Sequence, residues 1–345
     1  MKVRPRDFVY TTDGLYFATT SYHHPKNRVL AFLRYIPDDN GEREKDGKKY
    51  TKVDSETAYK FLEENYPYYL FDDDNTGLKM MGVPSDKIKK ILRPNERLKE
   101  IMESDTDSQF FKKVITLAET FHKYADVPYD CLGISGSVLP GLNDSTVSDI
   151  DFVVYGMENQ RRAMNLFGEI KDTDEFPLFK SIHDDYWMKV YNKRIKDDTL
   201  SFDEFCWYEK RKNNRGIIDG TLFDILLTRD WDEITGEYGD IRYESYEQTK
   251  IEAKVVSALA SFDNPSICTI EEVSVIDGPE KEDIKEVASF THTYAGEVKD
   301  NEDIVAKGKL EKVINTKTGE TYHRIVVGTT REAFNEYIKL KESPI

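Results

Sequence analysis

Cysteine is scarce in this chain: Cys131, Cys206 and Cys268 are the only three in 345 residues. They are scattered among apolar neighbours, at no metal-ligand spacing and in no disulfide framework, so buried thiols are expected. The six histidines (His23, His24, His122, His183, His292 and His323) show no metal spacing with them, and none is assigned a catalytic role. No apolar run reaches the length of a membrane span. The opening MKVRPRDFVY lacks the apolar centre of a signal peptide, so a cytoplasmic protein with no membrane partner is expected. Basic charge is also short, with 49 Lys plus Arg against 65 Asp plus Glu and a net −16. That balance disfavours a broad non-specific polyanion surface but leaves room for a local basic channel. Repeats and low-complexity segments are missing too. What remains is ample for packed cores: 39% hydrophobic and 12% aromatic residues, over a length that suits two or three domains.

The densest chemical pattern is Leu132 to Gly156, LGISGSVLPGLNDSTVSDIDFVVYG. Asp149 and Asp151 alternate along an apolar strand, so both side chains point to one face while Ile150 turns inward. Two neighbouring carboxylates repel, and burying them unpaired is costly; a divalent cation is the usual remedy. Hard cations take oxygen ligands and keep room for phosphate oxygens. Ahead of the pair lies Ile134-Ser135-Gly136-Ser137, where Gly136 lets backbone approach a phosphate and Ser137 adds a hydroxyl donor. A helix starting at Val138 is expected, its N-terminal amides aimed at the anion.

Gly136-Ser137, followed after eleven residues by Asp149-Ile150-Asp151, resembles the signature of the DNA polymerase β-like nucleotidyltransferase superfamily. The whole chain is similar in flavour to predicted archaeal nucleotidyltransferases. The resemblance covers roughly residues 106 to 230 and implies a third carboxylate on a later strand. Asp224, inside Leu222-Phe223-Asp224-Ile225-Leu226, matches best; Asp219, Asp230 and Asp232 have turn-like or polar neighbours. The resemblance further implies two Mg²⁺ or Mn²⁺ ions on Asp149, Asp151 and Asp224, with Gly136 and Ser137 at the phosphates of an NTP. The activity implied moves a nucleoside monophosphate to a hydroxyl of an RNA end, a protein or a small molecule, releasing pyrophosphate. The alternative is a non-catalytic nucleotide- or RNA-binding protein on the same scaffold. A template-dependent DNA polymerase is disfavoured by the acidic charge and the lack of helix-hairpin-helix repeats.

The expected fold class is α+β: a nucleotidyltransferase core of mixed sheet and helices at 105–237, between an N-terminal α+β module at 1–104 and a β-rich module at 238–345. In the first module, Asp13-Gly14 sets a hairpin turn, and Asp54 caps a helix from Ser55 to Asn65 that Pro67 stops. Pro84-Ser85 and Pro94 open further helical segments. Thr106 to Tyr124 has an apolar stripe (Phe110, Val114, Leu117, Phe121) suited to covering the aspartate sheet. Helices are also expected at Glu158–Ile170 and Phe202–Lys212, and Tyr186 to Tyr191 reads as an apolar strand. The last module reads as five strands, a small barrel resembling an OB-fold, closed by a helix from Arg331 to Leu340. From Ser245 onward it carries 13 basic and 19 acidic residues, a net −6, which makes it a poor electrostatic partner for nucleic acid. A triphosphate needs protein cations, and Arg211 and Arg215, just before the Asp224 strand, are expected to supply them, with Lys189 next.

Overall fold

The computed structural model describes residues 2–73, 77–144, 148–330, 332–343 and 345. The chain forms two compact units, Met1–Leu166 with Ile218–Tyr238, and Phe167–Ile217 with Gly239–Ile345. The architecture is mixed α+β, with six α-helices among the described residues.

In the first unit the Phe8–Thr11 and Tyr16–Thr19 strands make the hairpin that Asp13-Gly14 demands, with Gly14 at φ +81°. Arg28–Pro37 pairs with Tyr16–Thr19 and with Lys48–Lys52 on its other side, and Arg43–Lys45 extends that edge. The Ser55–Asn65 helix lies against this sheet. Asp54 caps it by accepting from the Thr57 amide, and Ala58 and Leu62 go into a core with Phe17 and Leu33. The second sheet region holds the motif strands. Leu132–Ile134 runs antiparallel to Ile150–Tyr155, which runs parallel to Thr221–Thr228. The Gln109–Ala125 helix covers it as its apolar stripe predicts, with Phe121 5.6 Å from Phe152 between ring centroids. Its Lys113 amine reaches the Asp219 carbonyl at 2.6 Å and so ties the helix to the start of the Thr221–Thr228 strand.

In the second unit Ile241–Ser257 pairs with both Ser266–Asp277 and Asp303–Asn315. Ile284–Ser289 pairs with Ser266–Asp277 and runs parallel to Thr321–Val327, which returns to Asp303–Asn315. The path closes on itself, giving the expected five-stranded barrel. Thr249, Ile251, Ala253 and Val255 point inward at alternate positions of the first strand.

Three sequence expectations need correcting. No helix follows Ser137 among the described residues. Pro140 cannot extend an α-helix, Gly141 turns the chain at φ +72°, and amides 139, 141 and 142 close consecutive turns. Residues 145–147 of the motif lie outside the described residues. The Tyr186–Tyr191 run belongs to a helix, Asp184–Arg194, with acids in its first turn and bases in its last, as the helix dipole favours. Trp187 and Tyr191, one turn apart, both pack on Phe205 of the Phe202–Lys212 helix. The terminal segment is a strand, Tyr337–Leu340, paired with Ile304–Lys307. Ala333 and Asn335 at positive φ, and Glu336 accepting from the Gly328 and Thr329 amides, hold the preceding residues out of a helix; Arg331 lies outside the described residues.

Candidate active site

Asp151 and Asp224 are register partners on adjacent parallel strands, so their side chains stand next to each other on one face. Ile150, Phe152, Phe223 and Ile225 are their buried neighbours on the opposite face. Burial, and then the charge of Asp224, raise the Asp151 pKa to about 6; Asp149 adds to the rise, while Arg6 and Lys52 oppose it. Asp149 is exposed, immediately before the strand.

Gly136 lies directly against this pair. It has φ +59°, and a Cβ there would meet Asp151 Oδ2 at 1.7 Å, so no other residue fits without displacing the carboxylate. The Ser135 amide donates to the Asp151 carbonyl at 2.9 Å, which fixes the turn to the aspartate strand. Ser137 Oγ donates to Ser148 Oγ at 3.3 Å, linking the cradle to the residue before Asp149. Leu139 and Leu142, from the turns that follow, bury against Phe8, Tyr16, Tyr35 and Tyr50 of the N-terminal sheet. The Gly-Ser turn is thereby held between two sheets of one unit.

That packing brings cations which sequence reasoning missed. Arg6 is held at φ +77°, its carbonyl accepting from Ser135 Oγ at 2.8 Å, and its charge acts on Asp151. Lys52 is exposed at the end of its strand; desolvation of its amine lowers its pKa, Arg34 and Arg43 lower it further, and Asp151 and Asp149 push it back up. The same charges surround Tyr35, whose phenol burial pushes up. Arg6 Nε and both Nε and Nη1 of Arg43 are buried without a hydrogen-bond partner among the described residues; Arg43 Nε lies 3.9 Å from Glu42. Nothing local in the sequence marks these residues. They come from three separate stretches of the first hundred residues, and only strand pairing collects them.

The cations expected from sequence lie in the second unit. Arg211 donates to both oxygens of Glu302 at 2.6 Å and stacks over Trp207 at 4.6 Å. Arg215 donates to the Tyr186 hydroxyl at 3.2 Å, and Lys189 is exposed on the Asp184–Arg194 helix. Arg215 also lines a cavity of about 610 Å³ in which Lys171 and Lys210 are matched by Asp184, Asp185 and Glu209. The weaker acidic candidates are engaged elsewhere, Asp219 with Lys113 at 3.4 Å and Asp230 with Arg4 at 3.2 Å.

Among the described residues no three His, Cys, Asp or Glu side chains already stand close enough to hold a metal ion. The donor chemistry nonetheless fits a hard divalent cation. Two registered carboxylates, one with its pKa raised by burial and then by the other, are a charge build-up that such an ion relieves.

The chain is 50% identical over 351 aligned positions to an uncharacterized protein of Methanocaldococcus jannaschii, MJ1086, across 99% of this chain and all of that protein. No family model and no solved structure matches the chain.

Proposed function

From the premise that this chain belongs to one family with the Methanocaldococcus jannaschii protein, we propose that it is a metal-dependent nucleotidyltransferase acting on an NTP and a hydroxyl acceptor. The observation that carries the reading is the registered Asp151–Asp224 pair with Gly136 against it. Asp149, Asp151 and Asp224 would hold Mg²⁺ or Mn²⁺, which supplies charge neutralisation on phosphate oxygens and activation of the acceptor hydroxyl. The chain's own part is binding and positioning. Gly136 lets the Gly-Ser turn lie directly against the Asp151 carboxylate, and Ser137 offers a hydroxyl beside it. Arg6 and Lys52 bring positive charge to Asp151, with Arg34 and Arg43 close to Lys52, in a chain that is otherwise strongly acidic. Such preorganised charge is the main protein contribution to phosphoryl-group transfer. RNA ends, proteins and small molecules are the acceptor classes to test.

A second reading, a nucleotide- or RNA-binding scaffold without chemistry, draws on the exposure of Asp149 and the lack of three converged ligands among the described residues. One experiment separates the two. The protein is incubated with each labelled NTP, Mg²⁺ or Mn²⁺, and total RNA and protein, beside an Asp149→Asn, Asp151→Asn double variant. Label transfer by the wild type alone is expected. Nucleotide binding without transfer, unaffected by the double change, would favour the scaffold.

A further inference from the structure

A cavity of about 610 Å³ lies in the first unit, walled by Lys2 and Val3, the segment from Tyr22 to Val29, and Trp231 to Tyr238. It is within the size range of small-ligand sites. It stands apart from the carboxylate pair. Trp231 follows the Thr221–Thr228 strand, whose end is about 13 Å from Asp224 at about 3.3 Å per residue.

Its lining differs from that of the charge-balanced cavity containing Arg215. Lys2, Lys26 and Arg28 face a single acid, Glu237. An excess of positive charge is a sharp departure in a chain of net −16. Arg28 Nη1 is buried with no hydrogen-bond partner among the described residues, and burial lowers the Arg28 pKa. Three aromatic rings, Tyr22, Trp231 and Tyr238, also line it and are held in place. Trp231 carries the Arg4 guanidinium at 4.2 Å from its ring centroid, the Tyr22 hydroxyl accepts from the Arg229 amide at 3.0 Å, and the Tyr238 hydroxyl donates to Asp73. His24 is fixed as a neutral ring: Nδ1 accepts from the Leu30 amide, which leaves Nε2 to donate to the Val3 carbonyl. His24 therefore adds no positive charge to that of Lys2, Lys26 and Arg28.

We propose that this cavity is a second ligand site, for a nucleotide, with the base against the aromatic wall and the phosphates on Arg28, Lys26 and Lys2. Fixed rings offer stacking that any base can use, and guanidinium and ammonium groups suit phosphate oxygens. The proposal does not depend on catalysis at the aspartates, and the test keeps the two apart. AMP and ATP are titrated calorimetrically into the full chain in EDTA, so that no divalent ion can bridge a triphosphate to Asp151 and Asp224. Saturable binding is expected, weakened about tenfold or more by Arg28→Gln and by Lys26→Gln, and unchanged by the Asp149→Asn, Asp151→Asn double variant. Lys26 is exposed, so Lys26→Gln keeps the result readable should Arg28→Gln fail to fold. Absence of binding in EDTA, wild-type affinity in both cation variants, or loss of binding in the aspartate variant would each overturn the proposal. Pyrophosphate competing as well as ATP would overturn it too, because the aromatic wall would then contribute nothing.

Discussion

Single residues carry the sharpest constraints in this molecule. Gly136 cannot be exchanged because the Asp151 carboxylate occupies the space of its absent Cβ; the sequence pointed to this glycine, but for phosphate access alone. Asp151 and Asp224 were legible because each interrupts an apolar strand, and a polar residue at a core-strand position has to be explained. Arg6 and Lys52 were not, since surface-like basic residues far away in the chain give no periodic signal. Asp7, beside Arg6, is a further buried acid. It is 1% exposed, accepts from the Arg4 amide at 3.1 Å, and its Oδ1 has no partner among the described residues. Burial pushes its pKa to about 7. A carboxyl raised in the folded state stabilises fully below its unfolded pKa of about 4 and loses that contribution as pH rises through its folded value. Asp7→Asn should therefore remove part of the fall in stability between pH of about 5 and about 8, by about 2 kcal/mol. Urea midpoints at the two pH values check this; an identical fall in both proteins would contradict it.

At the level of elements, local chemistry was legible wherever it was strong. The Asp54 cap, the Asp13-Gly14 hairpin and the Phe202–Lys212 helix, capped by Ser201, stand where their residues placed them. Failures came where two periods compete. Tyr186 to Tyr191 alternates like a strand, yet Trp187 and Tyr191 also share a helix face, and Phe205 decided between them. The end of the chain is helix-like in composition, but an open edge of the Asp303–Asn315 strand was available to pair. A tertiary partner outweighs weak local preference in both cases. The N-terminal strands reach the site the same way: Leu139 and Leu142 lock the Gly-Ser turn onto them. If that sheet supplies the phosphate-binding charge, Lys52→Gln and Arg43→Gln should each weaken binding of a non-hydrolysable NTP with Mg²⁺ about tenfold, leaving thermal unfolding little changed. Equilibrium titration checks it; unchanged affinity in both variants would remove the sheet from the site.

Taken whole, the molecule sets Arg6 and Lys52 beside Asp151 against a background of −16. The closed barrel of the second unit carries its own net negative charge, so its closure by itself gives no reason to read it as a nucleic-acid platform. Its five strands were legible from turn spacing. The pairing that brings residues 1–104 into one unit with the aspartate strands was not, because it rests on side chains about a hundred positions apart. The central claim is that Asp224, joined to Asp151 by strand register, completes a divalent-cation site. Mn²⁺ binding measured by electron paramagnetic resonance, with a non-hydrolysable NTP present, tests it most directly. The account predicts that Asp151→Asn and Asp224→Asn each weaken Mn²⁺ binding about tenfold or more, while Asp219→Asn, which breaks only the ion pair with Lys113, leaves it unchanged. Wild-type Mn²⁺ affinity in Asp224→Asn would contradict it.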